Sequence, residues 1–228
     1  MPVSTIIQKQ DIIKYKKIFH FLWGVKRIEY SLTSIWRKTR SYSDILSNLK
    51  GFTKDIQRSH LLTNEMIHFM TNFHYYVMFE VIECSWEKLC KQVNEATDLD
   101  QLIEAHSKFL YEIGTKTFLT NSETCYDSFK KVLSIITKFT TLQTNVCILA
   151  HAIKKEQILT DSHYVKINRE LTNYKTQLNS IANDYKHYFD LFEKELSKLK
   201  IHQDVNPISL LYMLDFNEYY SNTNQDDE

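Results

Sequence analysis

Apolar residues recur at intervals of three and four along most of the chain, which is the spacing of one face of an α-helix. The most regular run belongs to a predicted helix that begins at Asp161 or Ser162. Its apolar positions are Ile167, Leu171, Tyr174, Leu178, Ile181, Tyr185, Tyr188, Phe192, Leu196 and Leu199. This spacing is typical of helix bundles and coiled coils.

The same periodicity predicts four further helices. One spans residues 9–40, with an apolar face that includes Phe19, and another spans residues 99–118 with Gly114 as a point of irregularity. Asp98 and Gln101 have the spacing of a capping box at the start of the second. Asn121 or Ser122 caps the third, and Pro207 opens a short last helix that ends near residue 216.

Residues 58–95 are apolar on two opposite sides of a helix. One side carries Leu62, Met66, Phe69, Phe73, Tyr76 and Cys84. The other carries Tyr75, Phe79, Ile82, Trp86, Leu89 and Val93. Since a surface helix needs only one apolar stripe, this pattern predicts a continuous α-helix that is packed by neighbours on both sides.

Composition supports an all-α fold. Only three glycines and two prolines occur in 228 residues, whereas strand-rich folds need frequent turn residues. We therefore predict an elongated bundle of long antiparallel helices, with residues 58–95 as its central helix. A single helical domain is expected over residues 1–220, followed by a disordered acidic tail at 221–228.

The net charge and the cysteine content limit which partners, metals and cofactors are expected. The formal net charge is zero, so no global field favours nucleic acid or an anionic membrane. No apolar run approaches the roughly 20 residues of a membrane span, and we expect no membrane insertion. The spacing of the four cysteines matches no metal motif, which favours free thiols. We expect neither a cofactor nor a metal.

Four ordered motifs carry a family resemblance. They are Phe19-His-Phe-Leu-Trp-Gly-Val-Lys-Arg-Ile-Glu-Tyr30 with Trp36, His74-Tyr-Tyr-Val-Met-Phe-Glu-Val-Ile-Glu-Cys-Ser-Trp86, Ala105-His-Ser-Lys-Phe-Leu110 and Leu214-Asp-Phe-Asn-Glu-Tyr-Tyr220. Together they resemble the carboxy-terminal domain of the gamma-tubulin complex proteins, and most closely the third-component branch. The amino-terminal domain of that family has no counterpart here, so we expect a fragment or a truncated member.

The resemblance implies a scaffold rather than an enzyme. In that family the carboxy-terminal domain holds one gamma-tubulin molecule, and side-by-side subunits present these molecules for microtubule nucleation. The implied location is the cytoplasm and cytoskeleton, at a microtubule organising centre or spindle pole. The implied partners are gamma-tubulin and the other subunits of the complex. A helical tethering or trafficking subunit that binds other coiled coils is the alternative.

Two groups of residues are candidates for binding gamma-tubulin. Lys9, Lys16, Arg27 and Lys38 are 7, 11 and 11 residues apart, and these intervals return to within about 20° of one direction on a helix. They form a cationic stripe that suits an acidic partner such as a tubulin, or else a solvated face. Asn217, Tyr219 and Tyr220 form a polar and aromatic cluster that contacts a partner or closes the end of the bundle.

Six other residues are predicted to be structural: Glu29, Trp36, Phe73, Glu80, Trp86 and His106. Glu80 lies one helical turn from Glu83, which raises the question of acid–base or metal chemistry. A di-iron bundle needs Glu-x-x-His steps on two facing helices, and the sequence has no such pair of steps. We therefore expect Glu80 to pair with Lys26 or Arg27, Glu29 to pair with Lys26, and His106 to be a hydrogen-bonded core histidine with no catalytic role.

Overall fold

Every regular element is a helix in the computed structural model, which describes residues 3–49, 51–119, 123–155, 161–199 and 208–214. The α-helices are α1 Val3–Ile6, α2 Lys9–Ser41, α3 Ser43–Ser47, α4 Thr53–Tyr75, α5 Cys84–Glu95, α6 Leu99–Lys116, α7 Glu123–Lys155, α8 Asp161–Leu199 and α9 Ile208–Leu214. The predicted all-α class is confirmed. The acidic tail at 221–228 lies outside the described residues.

The predicted continuous α-helix over residues 58–95 is wrong in one respect. The chain is helical throughout, but a π-helix, Tyr76–Glu83, separates α4 from α5. A π-helix closes its hydrogen bonds from residue i to i+5 instead of i+4, so it has more residues per turn than an α-helix. Beyond Tyr75, residues at α-helical spacing therefore no longer lie on the same face of the helix.

The second apolar side of this segment is not covered as predicted. Phe79 and Trp86 are 49% and 56% exposed, and Tyr75 and Val93 are also exposed, although Leu89 is buried. On the first side Phe73 is fully buried, whereas Cys84 is exposed. The register change in the π-helix gives a physical reason, because the side-chain directions assumed for an uninterrupted α-helix no longer apply.

Two hydrogen bonds to side-chain oxygens fix the start of α6. Asp98 accepts a hydrogen bond from the Gln101 backbone N–H at 2.8 Å, and the Gln101 side chain accepts one from the Thr97 N–H at 2.9 Å. The predicted capping interaction between Asp98 and Gln101 is therefore confirmed. Each of these bonds satisfies a backbone donor that has no partner within the helix.

The irregularity predicted at Gly114 occurs four residues later. The helix continues through Gly114, whose carbonyl accepts a hydrogen bond from the Leu119 N–H at 2.9 Å, while the Phe118 N–H donates to the Thr115 carbonyl at 3.0 Å. This pair of bonds is a Schellman motif, which places Phe118 in the left-handed region with φ of 64°. Glycine usually occupies that position. Burial of the Phe118 ring against Phe192, 6.3 Å between ring centroids, offsets the backbone cost.

Contacts divide the chain into two compact units. Unit 1 comprises the described residues of Met1–Lys26, Met70–Ser128 and Leu191–Glu228. Its core contains Phe73, whose ring meets Phe21 edge-on at 6.1 Å and lies 6.4 Å from the Tyr76 ring. The Tyr76 hydroxyl donates to the Lys116 carbonyl at 3.1 Å, which satisfies the polar end of a buried ring.

Unit 2 comprises the described residues of Arg27–Phe69 and Phe129–Asp190. Its core holds a buried polar network in which the Gln143 amide donates to the Ser59 hydroxyl at 2.8 Å and to the Tyr174 hydroxyl at 3.0 Å. Phe69 makes aromatic contacts with Phe129 and Phe189 within the same unit. The predicted single domain over residues 1–220 stays a prediction.

One described helix, Thr124–Lys155, is long and apolar enough in composition to cross a membrane. No such run was predicted from the sequence. Core helices meet the same criterion, and in unit 2 the side chains of Val132, Ile136 and Phe139 are fully buried against protein. The absence of membrane insertion stays a prediction.

The contrast between Phe73 and Phe79 gives a test of this packing. Phe73→Ala is expected to lower the free energy of unfolding by about 3–5 kcal/mol, because it leaves a cavity in the core of unit 1. Phe79→Ala makes the same chemical change on a half-exposed side chain and should cost less than about 1.5 kcal/mol, the scale of its ring pair with Tyr75. Urea unfolding followed by circular dichroism measures both, and equal losses would contradict the assignment.

Candidate functional site

The four predicted cationic residues share one helix and are all exposed. Lys9, Lys16, Arg27 and Lys38 lie on α2, which has 33 residues and is unbroken. At about 1.5 Å per residue such a helix is roughly 50 Å long. Lys9 and Lys16 belong to unit 1, and Arg27 and Lys38 belong to unit 2.

The opposite face of α2 is buried in each unit. Ile18, Phe21 and Val25 are buried in unit 1, and Leu32 and Ile35 are buried in unit 2. This burial fixes which residues of α2 meet solvent. Within each unit the cations therefore project from a helix whose other side is held by the core.

The start of α2 is fixed by a carboxylate, that of Asp11, whose role the sequence did not indicate. Asp11 accepts hydrogen bonds from the Gln8 backbone N–H and from Lys14 Nζ, each at 3.1 Å. It is a buried residue that lies in the first turn, where a negative charge is favourable. Burial disfavours the charged carboxylate, but these hydrogen bonds and the charge of Lys14 outweigh that effect and lower the pKa of Asp11.

His106 is a core histidine, as predicted. Its Nε2 shares a hydrogen bond with the Tyr15 hydroxyl at 3.0 Å, and its Nδ1 lies 3.9 Å from the Asp11 carboxylate. The ring thereby links α6 to the first turns of α2. Sequence periodicity placed His106 on the buried side of α6, but nothing in the sequence pointed to Tyr15 or Asp11 as its neighbours.

Glu29 and Trp36 lie on the part of α2 that belongs to unit 2. Both are half-buried, and the Trp36 ring meets the His60 ring edge-on at 5.1 Å between centroids. Burial, reinforced by the charge of Arg40, lowers the pKa of His60. A neutral His60 suits this aromatic contact. The structural role of Trp36 is thus an aromatic contact within unit 2, and the pairing of Glu29 with Lys26 stays a prediction.

Two of the residues predicted to be structural, Glu80 and Trp86, are exposed. Glu80 lies on the solvent side of the π-helix, and its pairing with Lys26 or Arg27 stays a prediction. Trp86 is exposed as stated above, although one edge of its ring contacts Phe109 at 6.0 Å between centroids. Phe73 alone of the three residues on this segment has the predicted buried role.

The titratable groups of the described part of the chain form no metal site. No cluster of three or more His, Cys, Asp or Glu side chains occurs among the described residues. The four cysteines are free thiols, as predicted, with Cys125 and Cys147 buried. Burial, with a smaller effect from the charge of Glu195, raises the pKa of the Cys125 thiol to about 12. That thiol is therefore protonated and poorly nucleophilic near neutral pH.

Unit 1 also has an exposed apolar surface that the periodicity did not reveal. Phe19 was predicted to lie in the buried arc of α2, yet it is 60% exposed, and Trp23 one turn later is 61% exposed. Their rings stack with centroids 6.3 Å apart and planes 13° from parallel.

Asn217, Tyr219 and Tyr220, the remaining candidates, lie outside the described residues.

Comparison with known proteins identifies the family. A profile described as Gamma tubulin complex component C-terminal matches residues 1–220. The chain belongs to the gamma-tubulin complex component family. Among its relatives, Spindle pole body component 98 of Dictyostelium discoideum is 54% identical over 96% of this chain and 27% of its own length.

Other members of the gamma-tubulin complex component family match over the same span. Gamma-tubulin complex component 3 of Arabidopsis thaliana is 31% identical over 97% of this chain and 29% of its own length. Spindle pole body component alp6 of Schizosaccharomyces pombe is 31% identical over 96% of this chain and 27% of its own length. The chain therefore spans less than a third of the length of these relatives, and its resemblance to the third-component branch is confirmed.

The lowered pKa of Asp11 predicts a pH-dependent contribution to stability. Because the pKa is lower in the folded than in the unfolded state, the contribution is present above the ordinary carboxyl pKa of about 3.9. It is lost as the pH falls through the lowered value. Asp11→Asn should cost about 1–2 kcal/mol of unfolding free energy at pH 7. This difference from wild type should shrink as the pH is lowered through the acid range.

Urea unfolding at a series of pH values measures the difference directly. Asp184→Asn, the same change at an exposed carboxylate in unit 2, is the control and should stay within about 0.5 kcal/mol of wild type. A cost of Asp11→Asn that does not vary with pH would show that its ionised form contributes nothing.

Proposed function

We propose that the chain is a gamma-tubulin-binding scaffold subunit of the gamma-tubulin complex. In this role it positions gamma-tubulin for microtubule nucleation at minus ends and organising centres. Its other partners are further subunits of the complex, and its location is the cytoskeleton at a spindle pole or another organising centre. Membership of the family supports this proposal, as do relatives named for the spindle pole body.

The proposed activity needs no bond-making chemistry. A protein that positions another protein must be rigid and must present a defined docking face. Long helices with one buried side meet the first need, because core packing fixes their rotation about the helix axis. We therefore propose that the chain is not an enzyme and uses neither a cofactor nor a metal.

The observation that carries the proposal is the exposed cationic stripe of α2. Lys9, Lys16, Arg27 and Lys38 lie on one helix opposite buried residues. Tubulins are acidic, so the stripe has the complementary charge. Charges of this kind mainly set the orientation and rate of association. Their effect is screened beyond a Debye length of about 8 Å at physiological salt. Asn217, Tyr219 and Tyr220 are proposed as further contacts.

Reversal of the stripe tests its role. The variant Lys9→Glu, Lys16→Glu, Arg27→Glu and Lys38→Glu should bind gamma-tubulin about tenfold or more weakly. Exposed charge pairs contribute about 0.2–1 kcal/mol each, and 1.4 kcal/mol corresponds to tenfold. Affinity is measured by biolayer interferometry at several salt concentrations. The wild-type affinity should fall with added salt more steeply than that of the variant.

A matched control separates position from net charge. Lys138→Glu, Lys154→Glu, Lys166→Glu and Lys186→Glu make the same change of charge at exposed positions on α7 and α8. This control should retain affinity close to wild type. Separate reversal of Lys9 with Lys16, and of Arg27 with Lys38, assigns the contribution of each unit. Equal affinity and equal salt dependence in wild type and the stripe variant would exclude the stripe as the docking face.

A further inference from the structure

Unit 1 contains an apolar groove that opens to solvent. Its volume is about 270 Å³. One wall is formed by Phe19, Leu22 and Trp23 of α2. The other is formed by Phe73 and the first turn of the π-helix, including Met78. The groove lies entirely within unit 1.

The exposed rim of this groove is unusually aromatic. The stacked Phe19 and Trp23 rings present more than half of their surface to solvent. Tyr75, Met78 and Phe79, at the end of α4 and in the π-helix, are also exposed, and the Tyr75 and Phe79 ring centroids are 4.5 Å apart. Exposed apolar surface of this kind marks a docking site, and aromatic side chains make strong anchors there.

Among the described side chains that line the groove, the one with a permanent charge is a lysine. Between Lys9 and Lys26, α2 has five lysines and a single acidic residue, Asp11, which is paired with Lys14. Lys26 and His74 line the groove itself, and no carboxylate is among the described side chains that do. An occupant with the complementary pattern combines aromatic rings with carboxylates.

The end of this chain has that pattern. Fourteen residues follow Leu214, with five acidic and no basic residues among them. The first six, Asp215-Phe-Asn-Glu-Tyr-Tyr220, contain three aromatic residues and two carboxylates. An occupant drawn from this segment would match both the apolar walls and the lysines.

The described chain before this segment ends beside one wall of the groove. Helix α9 ends at Leu214, and the Asn72 side-chain amide donates to the Met213 carbonyl at 2.7 Å. Asn72 directly precedes Phe73 and His74, which line the groove. Six residues extend at most about 20 Å, roughly twice the diameter of a helix with its side chains. The segment therefore starts within reach of the groove.

We propose that residues 215–220 dock in the groove between α2 and the π-helix segment of unit 1 in the free chain. The aromatic side chains of the segment cover Phe19 and Trp23, and its carboxylates face the lysines of α2. This inference does not depend on gamma-tubulin binding. It assigns the acidic and aromatic end of the chain to an intramolecular site whose described lining includes Lys26 and no carboxylate.

The environment of Trp23 reports occupancy of the groove. Trp36→Phe and Trp86→Phe leave Trp23 as the sole tryptophan, since the chain has three. In this background the full chain should show blue-shifted emission and weak acrylamide quenching. Adding Asp215→Lys and Glu218→Lys should shift the emission to the red and increase quenching. A peptide of residues 215–228, added in excess, should reverse both changes.

A control in the same tail isolates the docking segment. Asp226→Lys and Asp227→Lys make the same change of charge outside residues 215–220 and should leave Trp23 covered. Urea unfolding must first show that the core of each variant is intact. Because no assay includes gamma-tubulin, failure here leaves the proposed function untouched.

Three outcomes would overturn the inference. Quenching of Trp23 that is identical in all variants would show that the segment does not cover the groove. Quenching that falls with protein concentration would point instead to a second copy of the chain in the groove. Equal exposure of Trp23 in the variant changed at residues 215 and 218 and in the variant changed at residues 226 and 227 would show that the effect depends only on net charge.

Discussion

Burial of Phe73 against Phe21 and Tyr76 is the interaction on which unit 1 depends. It joins α4 to α2 and places the start of the π-helix beside α6, where the Tyr76 hydroxyl reaches the Lys116 carbonyl. Since this packing fixes the rotation of α2, it also decides which residues of α2 meet solvent. With the burial of Ile18 and Val25 beside Phe21, it leaves Lys9, Lys16, Phe19 and Trp23 exposed.

Helical periodicity predicted the elements because it is a local property. The run of apolar residues in α8 and the Asp98–Gln101 cap each depend on neighbours within one or two turns, and both were predicted correctly. The π-helix was missed because an extra residue per turn leaves no mark in residue type. The burial of Trp86 and Phe19 was predicted wrongly for a related reason, because the exposure of a side chain depends on which other helices pack against it.

For the candidate binding surface too, the sequence indicated local features but not contacts between residues far apart in the chain. The intervals between Lys9, Lys16, Arg27 and Lys38 already indicated one exposed face of α2, and all four are exposed. The apolar groove beside Phe19 and Trp23 could not be predicted, because its second wall comes from residues 73–78, about fifty positions later in the chain. The sequence showed the acidic, aromatic segment after Leu214 but offered no site for it.

The proposed function requires a direct association between this chain and gamma-tubulin. Size-exclusion chromatography with light scattering, on the purified chain mixed with gamma-tubulin at micromolar concentration, tests it most directly. We expect a new earlier peak that contains both proteins in a one-to-one ratio and that dissociates at high salt. Separate elution of the two proteins at low salt, with each one folded, would contradict it.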